Sequence, residues 1–371
     1  MKKRLYTWLG IAFLVWFVHD AMLLMGCVMI RGEMSFDAFR SLLWERLTLP
    51  GDAVRYLQIA KEGYLKEGPD AINLVFYPLY PLLMRLFSLF GLLPMEGTGM
   101  VISRLSLAGA SIALYELVKT DNDEKSAFFS VLMMAVYPFS MFTVGVYTES
   151  LFLFLTIGCM LMIRKDKMVF AGIMGFLAAL TRVQGMLLIF PAVYRIVAGR
   201  LGGEQRKLRW TDLGVLMIPM GFAVYLMINA SLHGNAFQFL LYEEGEPWYQ
   251  TSRWLGENIA LQYRQVQEFK GLEWVIYIPQ LVLYFTALAV LFLGIRNGVR
   301  MEYLLYGAVY LGFTYLSGWM ISGGRYMLCC FPCFIVLSQW KREGLRIGIT
   351  VLSAGLFVVY SLMFLMGYAI M

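Results

Sequence analysis

Long apolar blocks joined by short polar segments make up most of the chain, as in "YTWLGIAFLVWFV", "LFLFLTIGCMLMI", "TDLGVLMIPMGFAVYLMI" and "LVLYFTALAVLFLGI". Crossing a bilayer as a helix takes about 20 mostly apolar residues, and several blocks reach that length. Backbone groups in hydrocarbon must bond within the segment, so repeated blocks of this kind predict an all-α, polytopic membrane bundle. The N-terminal run is too long for a signal peptide and no small-x-small site follows it, so a retained first span is expected. Two stretches break the pattern, 31–92 and 231–273, and both are expected as long outer loops of one membrane domain covering 1–371. Within the first, "GDAVRYLQIAKEGY" places apolar or aromatic residues at Val54, Leu57, Ile59, Ala60 and Tyr64, the spacing of a helix lying on a surface. Asp52 opens that helix.

Composition agrees with the pattern. Of 371 residues 60% are apolar and 15% charged, against about a quarter charged in soluble domains. The net charge of +6 does not indicate nucleic acid, because the basic residues cluster at span ends. By the positive-inside rule, Lys2-Lys3-Arg4, Arg164-Lys165-Lys167, Arg195 to Arg209, Arg296 with Arg300, and Lys341-Arg342-Arg346 belong in the cytoplasm. The stretch 31–70 carries six basic and seven acidic residues and 231–273 three and six, so both are assigned outside. Consistent sidedness then requires that 71–92 not cross fully. Its core "FYPLYPLLMRLFSLFG" is short, carries Pro78 and Pro81, and holds Arg85, which suits a juxtamembrane or re-entrant segment. Eleven spans follow: 5–30, 101–118, 126–146, 150–163, 168–181, 185–199, 210–230, 274–295, 301–320, 326–340 and 346–369. Both 150–163 and 168–181 are short for full crossings.

This topology gathers Asp52, Glu149, Arg182 and Arg325 on the outer face. Each has a plain structural reading beside a functional one. Asp52 and Glu149 each suit a helix N-terminus, and each arginine suits snorkelling to headgroups. Ionisable groups at span ends of an apolar chain are also functional candidates, and a guanidinium fork suits phosphate. His19-Asp20 within the first span reads either as a proton relay or as a polar contact between helices. Cys330 and Cys333 lie in apolar sequence and lack two further zinc ligands, and two histidines are too few for a histidine metal centre. No cofactor is called for, with a divalent metal left open.

The ordered set "GDAVRYLQIAKEGY", "FYPLYPLL", "YPFSMFTVGVYTESLF", "LTRVQGMLLIFP" and "GGRYMLCCFP" resembles the mannosyltransferases related to the enzyme that adds the second mannose to glycosylphosphatidylinositol anchors. The resemblance covers about 50–191 and 322–337. Gly51 stands where that family usually has Trp, which bears on the packing around Asp52. The resemblance implies a C-type glycosyltransferase fold, a polyprenyl- or dolichyl-phosphate sugar donor and a glycan or glycolipid acceptor. It also implies an active face on the non-cytoplasmic side, with membrane lipids as the surroundings and no nucleic acid. Asp52 is then expected as catalytic base and Glu149 as a second carboxylate. Arg182 and Arg325 would hold the donor phosphate, and Tyr56, Tyr64 and Tyr326 would bind sugar. A lipid or glycolipid transporter is the alternative, but the paired inverted halves it favours are not seen. Compact loops favour a prokaryotic plasma membrane; the endoplasmic reticulum is the eukaryotic equivalent.

Overall fold

A computed structural model describes residues 2–33, 35–49, 51–201, 207–268, 274–316, 322–368 and 370. Its regular elements are helical. They begin with α1 (Lys2–Arg31), α2 (Phe36–Leu47), α3 (Asp52–Glu62), α4 (Leu79–Phe87), α5 (Met95–Asp121) and α6 (Glu124–Ala135). There follow α7 (Glu149–Arg164), α8 (Met168–Ala179), α9 (Ile189–Leu201), α10 (Met217–His233), α11 (Gln238–Glu244) and α12 (Leu255–Glu268). The last five are α13 (Trp274–Arg296), α14 (Met301–Thr314), α15 (Gly323–Cys329), α16 (Pro332–Ser338) and α17 (Glu343–Met366). Five segments among the described residues are long and apolar enough to cross a bilayer: Lys2–Arg31, Met95–Asp121, Trp210–His233, Ile278–Arg296 and Glu343–Met366. This is an integral membrane protein.

Several of the eleven expected spans are shorter or interrupted. The 126–146 block divides into α6 and a 3-10 turn at Ser140–Thr143, separated by a segment containing Pro138. The 326–340 block divides into α15 and α16, because Pro332 cannot continue the hydrogen-bond ladder of α15. Residues 317–320 of the 301–320 block and 269–273 of the second outer loop lie outside the described residues.

The helices fall into two compact units. The first comprises 1–61, 80–161 and 334–370, and the second 62–79, 162–333 and residue 371. In the first, α1 and α5 lie antiparallel. Arg4 Nε donates to Glu116 Oε1 at 3.1 Å, Trp16 Nε1 to the Arg104 carbonyl at 3.0 Å, and Arg104 Nη2 pairs with Asp20 at 2.6 Å. The end of α1 therefore stands beside the start of α5, and the chain between them leaves and returns at one end. With nine residues, α4 is about 14 Å long against a hydrocarbon core of about 30 Å. Beside α1, α17 runs parallel, with Phe357 against His19 at 5.5 Å and Leu365 against Gly26.

His19 is fully buried, with Nδ1 2.8 Å from the Val15 carbonyl and Nε2 3.2 Å from that of Ser140. Asp20 faces Arg104 instead. The pair therefore makes separate helix–helix contacts, the second of the two readings of that dipeptide.

In the second unit α8 packs backbone on backbone against α10 and the 3-10 turn Trp210–Leu216 that precedes it. A Cβ on Gly172 would stand 1.9 Å from the Gly214 carbonyl oxygen, and one on Gly221 2.2 Å from that of Phe176. Small residues at helix crossings permit this approach. One end of the unit collects the charges of the basic loops. Arg195 Nη2 pairs with Asp166 at 3.1 Å, and Arg164 Nη1 lies 4.0 Å from Glu302 Oε1. At the other end, the Tyr315 carbonyl accepts from Asn258 Nδ2 at 2.6 Å, tying the end of α14 to the second outer loop.

Candidate active site

The carboxylates lie in the first unit, at the end away from Arg4 and Glu116. Gly51 has φ +58°, the left-handed region that favours glycine, and the turn it makes delivers Asp52 as the first residue of α3. A Trp here, as in the family pattern, would be strained, so the departure goes with the turn. Ala53, Tyr56, Leu57 and Ala60 form the buried stripe of α3, and Asp52 is half-buried at its head. Lys61 at the far end of α3 pairs with Glu96 of α5 at 2.8 Å. Four residues from Asp52, on the same helix face, the Tyr56 ring meets Tyr80 edge-on at 5.4 Å.

Tyr80 is fully buried, with its hydroxyl 3.0 Å from the Gly99 carbonyl and 2.8 Å from Ser103 Oγ. Tyr56, Tyr147 and Glu149 lie within electrostatic reach of it. Glu149 opens α7 and is fully buried. The turn before it is pinned by Val146 N–H donating to the Leu47 carbonyl at 2.9 Å, so α2 and the start of α7 share an end. Asp52, Tyr56, Tyr80 and Glu149 thus form one neighbourhood joined through tyrosine rings.

The cations lie in the second unit, at the end away from Asp166 and Arg195. Arg182 caps the 3-10 turn Val183–Leu188 in extended backbone after α8. Its guanidinium sits 5.7 Å above the Tyr326 ring. Arg325, next to that tyrosine in α15, is 3% exposed. The Tyr326 carbonyl accepts from the Tyr310 hydroxyl at 3.0 Å, which fixes the start of α15 against α14. Arg182 and Tyr326, 144 residues apart in sequence, are therefore in contact, and buried Arg325 precedes that tyrosine in α15. A guanidinium offers a planar fork of donors that matches phosphate. Tyr64 belongs to this unit, where its hydroxyl donates to the Phe76 carbonyl.

Sequence reasoning passed over Tyr77, Tyr80, Tyr310 and Glu243. The first two lie in the "FYPLYPLL" stretch, where two tyrosines three apart in an apolar run were a usable signal.

Residues 18–267 match the family described as mannosyltransferase (PIG-V). The chain belongs to this family. The chain is similar to the GPI alpha-1,6-mannosyltransferase 2 of Rattus norvegicus, 26% identical over 193 residues, which are 47% of this chain and 38% of that enzyme. The Mus musculus enzyme of the same description is 26% identical over 201 residues, 52% of this chain and 39% of its own. The match thus spans about two fifths of the rodent enzymes' length. Among solved structures, ArnT from Cupriavidus metallidurans, bound to undecaprenyl phosphate, superposes with a TM-score of 0.57. That match covers 94% of this chain and 62% of ArnT at 14% identity. The family member described here therefore has a C-type glycosyltransferase fold.

Proposed function

We propose that the protein transfers mannose from a polyprenyl- or dolichyl-phosphate donor to a hydroxyl of a glycan or glycolipid acceptor, at the non-cytoplasmic face of its membrane. What supports this is the Arg182 guanidinium over the Tyr326 ring, with buried Arg325 next to that tyrosine in the chain, in a member of the mannosyltransferase family. Departure of a lipid phosphate from the sugar develops negative charge on the bridging oxygen. Fixed guanidiniums stabilise that charge more in the transition state than in the ground state. Asp52 takes the proton from the acceptor hydroxyl as its oxygen attacks the anomeric carbon. The bond from that carbon to the phosphate oxygen breaks with its electron pair, and lipid phosphate leaves. One base and a direct displacement give inversion at the anomeric carbon. Glu149, buried and near Tyr80, orients sugar hydroxyls, while Tyr56, Tyr64 and Tyr326 contact sugar.

The membrane favoured is a prokaryotic plasma membrane, with the endoplasmic reticulum as the eukaryotic equivalent. Nothing in the family assignment favours the lipid-transporter alternative. Purified protein supplied with polyprenyl-phosphate mannose should release lipid phosphate in step with mannosylated acceptor. Movement of intact donor lipid between leaflets, without hydrolysis or transfer, would decide for the transporter.

A further inference from the structure

The second unit holds a polar site that the proposed chemistry leaves unused. Tyr77 stacks on Tyr225 with ring centroids 4.1 Å apart and planes 24° apart, and Phe239 completes the cluster. The Tyr225 hydroxyl donates to the Leu74 carbonyl at 2.7 Å. The Tyr77 hydroxyl is buried, on a residue only 7% exposed, and has no hydrogen-bond partner among the described residues. Packing alone needs only the ring, so a phenylalanine would serve there at lower cost. Glu243 of α11 and Tyr64 lie within electrostatic reach of that hydroxyl. Among the described residues the Glu243 side chain makes no ion pair and no hydrogen bond, and burial pushes its carboxyl up to about 7.

The backbone after α11 folds back on it, Gln250 N–H donating to the Glu243 carbonyl at 2.7 Å. This turn sets the half-buried Trp248 edge-on to Phe76 at 6.0 Å, beside Tyr77 in sequence. Val183, which follows Arg182 directly, packs against the same aromatic cluster. Two groups that each donate and accept, walled by aromatic rings, suit a neutral polyhydroxylated ring. A carboxyl with no cation beside it disfavours phosphate.

We infer that Tyr77 and Glu243, walled by Phe76 and Trp248, form a subsite for a neutral sugar ring of the acceptor, adjoining Arg182. This rests on the mannosyl-transfer reading, and its test separates the two. The full chain in nanodiscs is titrated with octyl α-mannoside and, separately, with undecaprenyl phosphate, and transfer is assayed alongside. Tyr77→Phe and Glu243→Gln should each weaken mannoside binding roughly fivefold to tenfold, one hydrogen bond's worth, without changing lipid-phosphate binding. Tyr77→Phe should keep the thermal stability of the parent protein, since no intramolecular bond is lost. Mannoside binding unchanged in both variants, or absent from the parent, overturns the subsite even where transfer is intact. Mannoside binding lost in the variants of a protein that transfers no mannose supports the subsite and refutes the transferase.

Discussion

Asp52→Asn separates chemistry from architecture, because the two readings of this residue differ in both size and kind. As the first residue of α3, Asp52 meets the positive end of the helix dipole, an interaction of typically 0.3–1 kcal/mol for a surface carboxylate. Asn caps a helix about as well as Asp and has the same shape, so the variant should lose at most about 1 kcal/mol of stability. Loss of a general base costs roughly 100- to 10,000-fold in rate, equivalent to about 3–5 kcal/mol of transition-state stabilisation. Asp52 is only half-buried and its α3 neighbour Tyr56 contacts Tyr80, so the side chain can be changed without opening the core behind it. The assay is transfer from radiolabelled polyprenyl-phosphate mannose under single-turnover conditions, with lipid-phosphate binding and thermal melting measured on the same preparation. The variant should insert, melt within a few degrees of the parent and bind lipid phosphate normally while transfer nearly stops. Turnover within threefold of the parent would show Asp52 to be a helix-start residue only, and the base would then be sought at Glu149.

Arg182→Ala and Arg325→Ala should each weaken undecaprenyl-phosphate binding by roughly 10- to 150-fold, one charge-assisted hydrogen bond of about 1.5–3 kcal/mol, with Lys restoring only part; unchanged binding in both Ala variants would refute the clamp. The five native cysteines are all buried, so single cysteines at Glu67 and Glu246 can be read directly with an impermeant thiol reagent. Both should label from outside, and labelling from opposite sides would refute the shared outer placement of the two loops. Glu243 is held neutral below about 7, so its folded pKa lies above the unfolded value. The stabilisation that comes from keeping it neutral is full below about 4.5 and is lost as pH rises through about 7. Mannoside binding should therefore fall as pH is raised from 6 to 8, and Glu243→Gln should flatten that limb. Tyr77 and Tyr225 lie within electrostatic reach of Glu243, with Asp70 and His233 on the elements packed against α11. A profile unchanged by the substitution would assign the limb to another group.

The amphipathic α3 was legible because its apolar stripe is local. The breaks inside apolar blocks were less legible. Hydropathy averages over a window, whereas the turn at Ser140–Thr143 and the division before Pro332 depend on single residues. In "YPLY" the two tyrosines are equivalent by composition. Yet Pro78 turns the chain so that Tyr80 finds Ser103 and Gly99 while the Tyr77 hydroxyl finds no partner among the described residues. Whether a buried hydroxyl is satisfied is decided by residues distant in sequence, and no periodicity carries that information. The pairing of Arg182 with Tyr326 was hidden for the same reason, although each residue was visible alone.

The short helices have an electrical consequence. From Arg164, anchored near Glu302, the 16 residues of α7 rise about 24 Å to Glu149, and the 12 residues of α8 rise about 18 Å toward Arg182. Each rise is shorter than about 30 Å of hydrocarbon. Were Arg182 to hold the donor phosphate below the outer headgroup plane, that phosphate would sit part-way into the transmembrane voltage. Traversing a fifth of that field is worth roughly 0.5 kcal/mol per elementary charge per 100 mV, about a twofold change in donor affinity. In proteoliposomes the apparent affinity for donor should shift by that factor when a potassium diffusion potential is imposed, and should reverse with its sign. A null response would mean that the recess is filled by water and held at the potential of the outer solution.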